Sequence, residues 1–288
     1  MSEDHEKSLI VRPRSELESA GSGPRAILSR MVSDALALAL SKERLLARSP
    51  ARFRVGDDEF CEPDYRQLKL WGAALNLAPE EVVIRFKREE SFKVENGAIV
   101  ELCWNFELLP LADFQWVDGL AIRNLEFTGK AISKKLSPKL PLLQRLDCVA
   151  LGLAELELSS VPGLTKLACS NNQLTELDLS SVPGLTGLWC YSNPLTELDL
   201  SSVPGLTVLS CHSDQLTELD LSSVPGLTKL TCHSNQLTEL DLSSVPRIGM
   251  LYCSSNSISM LDIRPCKALV TLECGEHVLL KKNVNQEF

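Results

Sequence analysis

The sequence predicts a repeat solenoid, in which short coils stack through a parallel β-sheet, with a small, mostly helical domain at the N-terminal end. Cysteines recur every 21 residues through the second half of the 288-residue chain, a leucine stands two positions before each, and most periods end in Pro-Gly. Such a fixed period indicates one supersecondary unit stacked on copies of itself. The cysteines of this column are Cys148, Cys169, Cys190, Cys211, Cys232, Cys253 and Cys274.

Within each period, the segment Leu-x-x-Leu-x-Cys is predicted to form a short strand whose apolar side chains point into the coil. The same frame extends backwards through Phe127 and Trp104, which gives nine repeats over residues 98–280. Nine coils about 4.8 Å apart would make a stack on the order of 40 Å long. A later apolar slot is filled by Leu109, Ile132, Leu153, Leu174, Leu195, Leu216, Leu237 and Ile258.

The repeat has the form LxxLxCxxNxLxxLDLSxxPG and resembles a bacterial-type leucine-rich repeat over residues 98–280. The resemblance implies a parallel β-sheet on the concave face, and the short connections predict extended or single-turn convex segments. It also implies that the asparagine hydrogen-bonds buried backbone from inside the turn. This slot holds Asn172, Asn193, Asn235 and Asn256, but Asp214 in one repeat, Leu151 in an early one and His277 in the last.

The front of the chain is predicted to divide into a flexible tail at 1–24 and a helical cap domain at 25–97. Apolar spacing predicts a helix at 26–48, and two further helices are predicted at 63–74 and 79–88. A small hairpin or turn is expected at 53–60. Asn96-Gly97 suits the tight turn of a second hairpin, whose later arm is the first repeat strand. The cap would close the open end of the solenoid. Residues 281–288 are predicted to be a thin C-terminal tail that leaves self-association possible.

Composition narrows the classes of function. The chain has no run of about 18 apolar residues and no apolar signal-peptide core at its start, which predicts a cytoplasmic protein without membrane contact. From residue 143 onward there are 8 Lys or Arg against 16 Asp or Glu, so the solenoid is acidic and nucleic acid is not an expected partner. Catalytic motifs are not recognised, and we expect neither enzyme activity, nor a metal, nor a cofactor. The cysteine column should consist of free thiols packed as small hydrophobes.

The repeats, compared with one another, indicate where a partner would bind. In four repeats the run LTELDLSSVP is unchanged, whereas substitutions gather in the outward slots of the first strand. Gly187, Ser210 and Ser170 occupy such slots alongside larger residues. The hypothesis is a non-catalytic scaffold that binds a protein or peptide on its concave face, although tolerated surface aromatics would give the same pattern. The predicted binding residues are Trp189, Tyr191, His212, His233, Met250, Tyr252, Lys166 and Lys229.

Several alternatives stay open. His212 and His233 could share a metal or sense pH, but no third ligand stands at matching spacing. Two outward acidic columns could attract a cation or a basic partner, or their aspartates could cap the turn amides that follow. Residues 63–90 have the rhythm of a helix-turn-helix and could bind nucleic acid. The chain could also be a secreted bacterial effector whose solenoid recognises a host protein. The acidic columns are Glu155, Glu176, Glu197, Glu218 and Glu239, and Glu157, Asp178, Asp199, Asp220, Asp241 and Asp262.

Overall fold

The computed structural model describes residues 52–88, 92–105, 120–129 and 134–286. The predicted helix at 26–48 lies outside these ranges, as do the slots of Leu109 and Ile132. In chain order the elements are β1 (Arg52–Val55), β2 (Asp58–Cys61), α1 (Glu62–Leu75), α2 (Pro79–Arg88), β3 (Phe92–Glu95), β4 (Ala98–Asn105), β5 (Asn124–Thr128), β6 (Lys135–Leu136), β7 (Arg145–Asp147), β8 (Glu155–Leu156), β9 (Lys166–Ala168), β10 (Gly187–Trp189), β11 (Val208–Ser210), β12 (Lys229–Thr231), β13 (Met250–Tyr252), β14 (Met260–Asp262), β15 (Thr271–Glu273) and β16 (Leu279–Lys281).

A ten-stranded sheet runs the length of the solenoid in the order β15-β13-β12-β11-β10-β9-β7-β5-β4-β3. Apart from the antiparallel pair β3-β4, its neighbours are parallel. Each leucine of the repeat pairs with its equivalent one coil away, as Leu188 does with Leu167 and Leu209. Nine parallel strands within the described residues enclose eight turns of the solenoid, and the inward leucines form one continuous core.

The connections between strands contain turns and short extended pieces, as predicted. In a typical coil the N–H of Val182 donates to the carbonyl of Leu179, and the N–H of Leu185 donates to that of Val182. These consecutive three-residue steps turn the chain at the Pro-Gly segment without forming a helix. In each of these coils the residue two positions after the cysteine takes a left-handed conformation, with φ of 54° to 57°. These residues are Asn171, Ser192, Ser213, Ser234 and Ser255.

The described part of the cap packs on the first solenoid strand. Pro63 lies at the start of α1, and Asn76 ends that helix in a left-handed conformation. The rings of Trp71, Phe86 and Trp104 meet at centroid distances of 5.3 to 5.7 Å and join both helices to β4. Both predicted hairpins are present, and Asn96 and Gly97 have the positive φ values that a tight turn requires.

Two of the cap's basic side chains are engaged within the cap itself. Arg66 pairs with Glu62 at 2.6 Å, and Lys87 pairs with Asp58 at 2.6 Å. Both side chains nevertheless stay exposed, at 72% for Arg66 and 45% for Lys87, so the helix-turn-helix hypothesis stays a prediction. Neither described helix has the length and apolar character needed to cross a bilayer.

The last described residues, 281–286, are attached to the coil before them. Strand β16 pairs in parallel with β14, so regular structure reaches Lys281. Beyond it, the Asn283 side chain donates to the carbonyl of Arg264 at 2.9 Å. The Gln286 amide donates to the carbonyls of Ile263 and Cys266 at 2.9 and 3.1 Å. Residues 281–286 therefore cover backbone acceptors of the preceding coil, which their polar composition did not suggest.

Candidate functional site

The outer face of the ten-stranded sheet carries the residues predicted to bind a partner. Register alignment places Lys166, Gly187, Val208, Lys229 and Met250 in a first row across the strands. A second row contains Ala168, Trp189, Ser210, Thr231 and Tyr252. Backbone hydrogen bonds continue the pairing past the strands and give a third row with Ser170, Tyr191, His212, His233 and Ser254.

Trp189 lies flat on its own strand, over Gly187. A Cβ built on Gly187 would lie 2.8 Å from two atoms of the six-membered ring of the indole, which is a clash. The other strands of the row, from β5 to β15, carry larger residues in that slot, so only the coil with the tryptophan leaves room for its ring. These residues are Asn124, Arg145, Lys166, Val208, Lys229, Met250 and Thr271. Gly187 therefore makes room for the indole of Trp189, and it keeps its outward position in the first row although the indole buries it.

Three rings of the third row stack across successive coils. The centroids of Tyr191 and His212 are 4.2 Å apart with nearly parallel planes, and those of His212 and His233 are 4.4 Å apart at 26°. The Nδ1 of His212 hydrogen-bonds the Ser210 hydroxyl at 3.0 Å, which orients its ring. We call Trp189, Tyr191, His212 and His233 the ring cluster. These side chains are only half-buried, so they stay accessible from solvent. The stacking holds the three third-row rings against one another.

The environment of His212 favours its neutral form. Burial lowers the pKa of His212 below its ordinary value, and the neighbouring His233 lowers it further. A neutral imidazole could ligate a metal, but among the described residues no group of three or more ligating side chains converges. The face-to-face stacking instead suits contact with a partner's apolar or ring-bearing groups.

The other predicted binding residues surround the ring cluster at different distances. Lys166 and Lys229 are exposed in the first row, three strands apart, which corresponds to about 14 Å. Met250 is 45% exposed beside Lys229. Tyr252 shares a row with Trp189, but Ser210 and Thr231 separate them, so Tyr252 lies at the edge of the surface. Besides Gly187, two predicted outward positions are buried: Ser170 at 0% and Ser210 at 7% exposure.

The cysteine column lies inside the coils. Cys148, Cys169, Cys190, Cys211 and Cys232 are completely buried, and Cys253 is nearly so. Burial raises the pKa of each of these thiols, to about 12 for Cys253. Cys274 differs from the prediction because it is only half-buried. Its strand, β15, is the edge of the sheet within the described residues, where no further strand pairs with it.

Thiol labelling tests this assignment of inside and outside. In native protein at pH 7.5, a maleimide should modify the half-buried Cys274 first, since labelling requires an accessible thiolate. Cys61 is also half-buried, but burial and its hydrogen bond to Asp64 raise its pKa to about 11 and should slow its reaction. The buried cysteines should react only as fast as the protein unfolds, which peptide mass spectrometry would show. Unfolded protein provides the control, in which all ten cysteines should react. Rapid native labelling of Cys190 and Cys211 would contradict this arrangement.

The aspartates of the acidic columns cap turns. The carboxylates of Asp178, Asp199, Asp220 and Asp241 each accept the N–H of the serine two residues later at 2.8 Å. Hydrogen bonds from that serine lower the pKa of Asp178, Asp199 and Asp220. The Arg264 side chain lowers the pKa of Asp262 to about 2. The repeated Asp-Leu-Ser pattern therefore has a structural role, as one of the two readings of the sequence predicted.

Sequence reasoning missed three residues that shape the site. Gly187 leaves space for the indole of Trp189, and Ser210 orients His212. Asp214 is buried in the coil that carries Ser210 and His212. The signal for Gly187 was its place two positions before the tryptophan, in a column where the other coils carry longer side chains. An aspartate in an asparagine column was the signal for Asp214.

Comparison with known proteins gives structural neighbours only. No protein-family model matches the chain, and no curated protein matches it. It is similar to the functional domain of InlJ from Listeria monocytogenes, which includes a cysteine ladder, at a TM-score of 0.50 and 28% identity over 59% of this chain and 42% of that one. An internalin, InlF, from Listeria monocytogenes aligns at a TM-score of 0.49 and 20% identity over 59% of this chain and 53% of that one.

A leucine-rich-repeat protein of Leptospira interrogans aligns at a TM-score of 0.47 and 22% identity, over 59% of this chain and 46% of that one. The matched region is thus only 42% to 53% of the length of these three proteins. The strand pairing recurs every 21 residues, as the leucine-rich-repeat pattern predicts, and the InlJ domain, which aligns at a TM-score of 0.50, also includes a cysteine ladder. This chain is therefore a leucine-rich-repeat solenoid with a helical N-terminal region.

Proposed function

We propose that this protein is a non-catalytic interaction scaffold that binds a protein or peptide partner on the outer face of its sheet, centred on the ring cluster. The observation that carries the proposal is the stack of Tyr191, His212 and His233, on the face of the sheet that also carries Trp189. These rings occupy the positions that vary between repeats, while the turns behind them repeat without change. Stacked, half-buried rings offer a large contact area with little loss of side-chain entropy on binding.

The charges around the ring cluster favour a partner segment of particular chemistry. Lys166 and Lys229 lie on either side of Gly187 and Val208, and neither forms an ion pair within the described residues. A segment that crosses the strands in an extended conformation would cover the 14 Å between them with about four residues. The surface therefore suits a peptide that presents an apolar or ring side chain between two carboxylates.

Replacing Trp189 and Tyr191 together by alanine should abolish capture of such a partner. Peptides would be selected from a random display library on the wild-type protein, synthesised, and titrated against both proteins by fluorescence anisotropy. We expect at least a tenfold loss of affinity for the double variant, in line with the ~1.4 kcal/mol or more that a buried aromatic anchor contributes. Thermal unfolding should change little, because both side chains are only half-buried.

Two further variants sharpen the comparison. Gly187→Ala keeps both rings but displaces the indole, and it should weaken binding as well. Glu197→Ala with Glu218→Ala alters two exposed residues of the acidic column and should leave binding intact. Equal affinity for the wild type and the Trp189→Ala, Tyr191→Ala variant would remove the ring cluster from the proposal.

A further inference from the structure

The side-chain amides of the repeated asparagines hydrogen-bond neighbouring coils to each other. We call Asn172, Asn193, Asn235 and Asn256 the asparagine ladder, and each position in it a rung. In Asn193 the Nδ2 donates to the carbonyls of Cys190 and Cys169 at 2.7 and 3.1 Å. Asn235 donates in the same way to Cys232 and Cys211 at 3.1 and 2.8 Å. Each amide thus bridges the cysteine of its own coil and the cysteine of the coil before it. A donor at this point is part of how the coils are held together.

Asp214 breaks this pattern because it brings an oxygen to the position of the donor. Its Oδ1 accepts the N–H of Asn193 at 2.6 Å, but its Oδ2 is buried and has no hydrogen-bond partner. The residue is 8% exposed. By the spacing of the other rungs, the carbonyls that face this slot are those of Cys190 and Cys211. A carboxylate has only acceptors to offer them, whereas a protonated carboxyl has one O–H donor.

We propose that Asp214 is protonated in the folded protein in mildly acid solution and donates its Oδ2–H to the carbonyl of Cys190 or Cys211, so that a proton supplies the hydrogen bond that an asparagine amide supplies in the other coils. A buried donor directed at a carbonyl stabilises the coil, while an anion between carbonyl oxygens would destabilise it. The proposal does not depend on the proposed function. It adds a pH-sensitive element to residues 206–226, the coil that carries Ser210 and His212.

The surroundings of Asp214 support its neutral form. Burial raises the pKa of Asp214 to about 7, although the N–H of Asn193 acts in the opposite direction. The ionisable groups that interact with it are the thiols of Cys169, Cys190 and Cys211, whose own raised pKa values keep them uncharged. His212 and His233 stand on the opposite, outer side of the strands. The lowered pKa of His212 has its own causes, which are burial and the neighbouring His233, and Asp214 is not among them.

The sign of the pH dependence follows from the raised pKa. In the unfolded chain an aspartate loses its proton near pH 3.8, while the folded protein keeps it until about pH 7. Between these values the folded state binds more protons, so this group's contribution to stability is complete below the unfolded pKa and is lost as pH rises through the folded one. The coil behind His212 should therefore be firmest in mildly acid solution and weaker above pH 7.

Asp214→Asn provides the test because it places the residue of the other rungs at this position. We expect the melting temperature of the variant to exceed that of wild type by several degrees at pH 8, and the difference to shrink markedly at pH 5. Glu218→Gln removes one charge from an exposed position of the same coil and should show no such pH-dependent difference. Carbon-13 NMR of the side-chain carboxyls should show one aspartate with a midpoint near pH 7 that is missing from the variant.

Two results would overturn the proposal. One is a melting-temperature difference between Asp214→Asn and wild type that is the same at pH 5 and pH 8. The other is a wild-type spectrum in which every aspartate carboxyl titrates below pH 5. Either result would mean that Asp214 is ionised in the folded protein and that its buried oxygen is satisfied without a proton.

Discussion

Replacing Asn172 by alanine is expected to lower the free energy of unfolding by about 3–5 kcal/mol, because several buried backbone groups would lose their partners at once. Its Oδ1 accepts the N–H groups of Leu151 and Leu153 at 3.0 Å. Its Nδ2 donates to the carbonyls of Cys148, Cys169 and Ser170 at 2.8 to 3.2 Å. Alanine satisfies none of these groups, and the coil interior gives water little access to them.

Urea unfolding followed by circular dichroism would measure this loss. Gln173→Ala is the matched control, because Gln173 is the next residue, is exposed and has no side-chain hydrogen bond within the described residues, so its midpoint should barely move. Since each coil contacts mainly its neighbours, hydrogen exchange should show the loosening first around Leu151 and Leu153. Equal midpoints for Asn172→Ala and Gln173→Ala would show that water or backbone rearrangement satisfies the exposed groups.

The junction between the cap and the solenoid is expected to depend on Asp64. This residue is 3% exposed, accepts the N–H of Ile99 at 2.8 Å and accepts a hydrogen bond from the Cys61 thiol at 2.8 Å. Asp64→Ala should lower the free energy of unfolding by about 2–3 kcal/mol, because it leaves the buried N–H of Ile99 without an acceptor. Hydrogen exchange in β4 should then become faster, since this bond links α1 to that strand.

Asp64→Asn separates the hydrogen bond from the charge. Asparagine keeps an acceptor for Ile99, so its loss of stability should be smaller than that of alanine. Burial raises the pKa of Asp64, so the contribution of this aspartate to stability decreases as pH rises through its folded pKa. The stability of Asp64→Asn relative to wild type should therefore be highest at high pH. Glu59→Ala, at an exposed site on β2, should have little effect. A loss in Asp64→Asn as large as that in Asp64→Ala would contradict the role of the Ile99 bond.

Much of the architecture could be predicted because the sequence repeats its own constraints. The leucine and cysteine columns specified which residues point inward, and the strands from β9 to β13 lie at the predicted positions. Helix α1 extends one residue beyond the predicted range of 63–74 at each end. Asn96-Gly97 specified a hairpin because few other residue pairs tolerate positive φ at both positions.

The details of the site were less predictable, for a physical reason. Alternation along a strand tells which face a side chain leaves from, but not how far it folds back over its neighbours. The indole of Trp189 lies along its strand onto Gly187, and this depends on a rotamer that the sequence does not encode locally. Ser170 leaves from the outer face and is nevertheless completely buried. Only the packed side chains show which outward positions remain available to a partner.

The in-register pairing of the coils has a consequence for how this chain could change length. The seam between the coils of Cys190 and Ser210 is the same as the seam between those of Cys211 and Thr231, with the amide of each cysteine donating to the next coil at 2.9 Å. Excision of residues 206–226 would therefore join two matching seams and bring His233 against Tyr191. Because the coils pair in the same register, a whole coil can be deleted or replaced as a unit. Evolution could therefore change the outward side chains one coil at a time and leave the strand pairing intact.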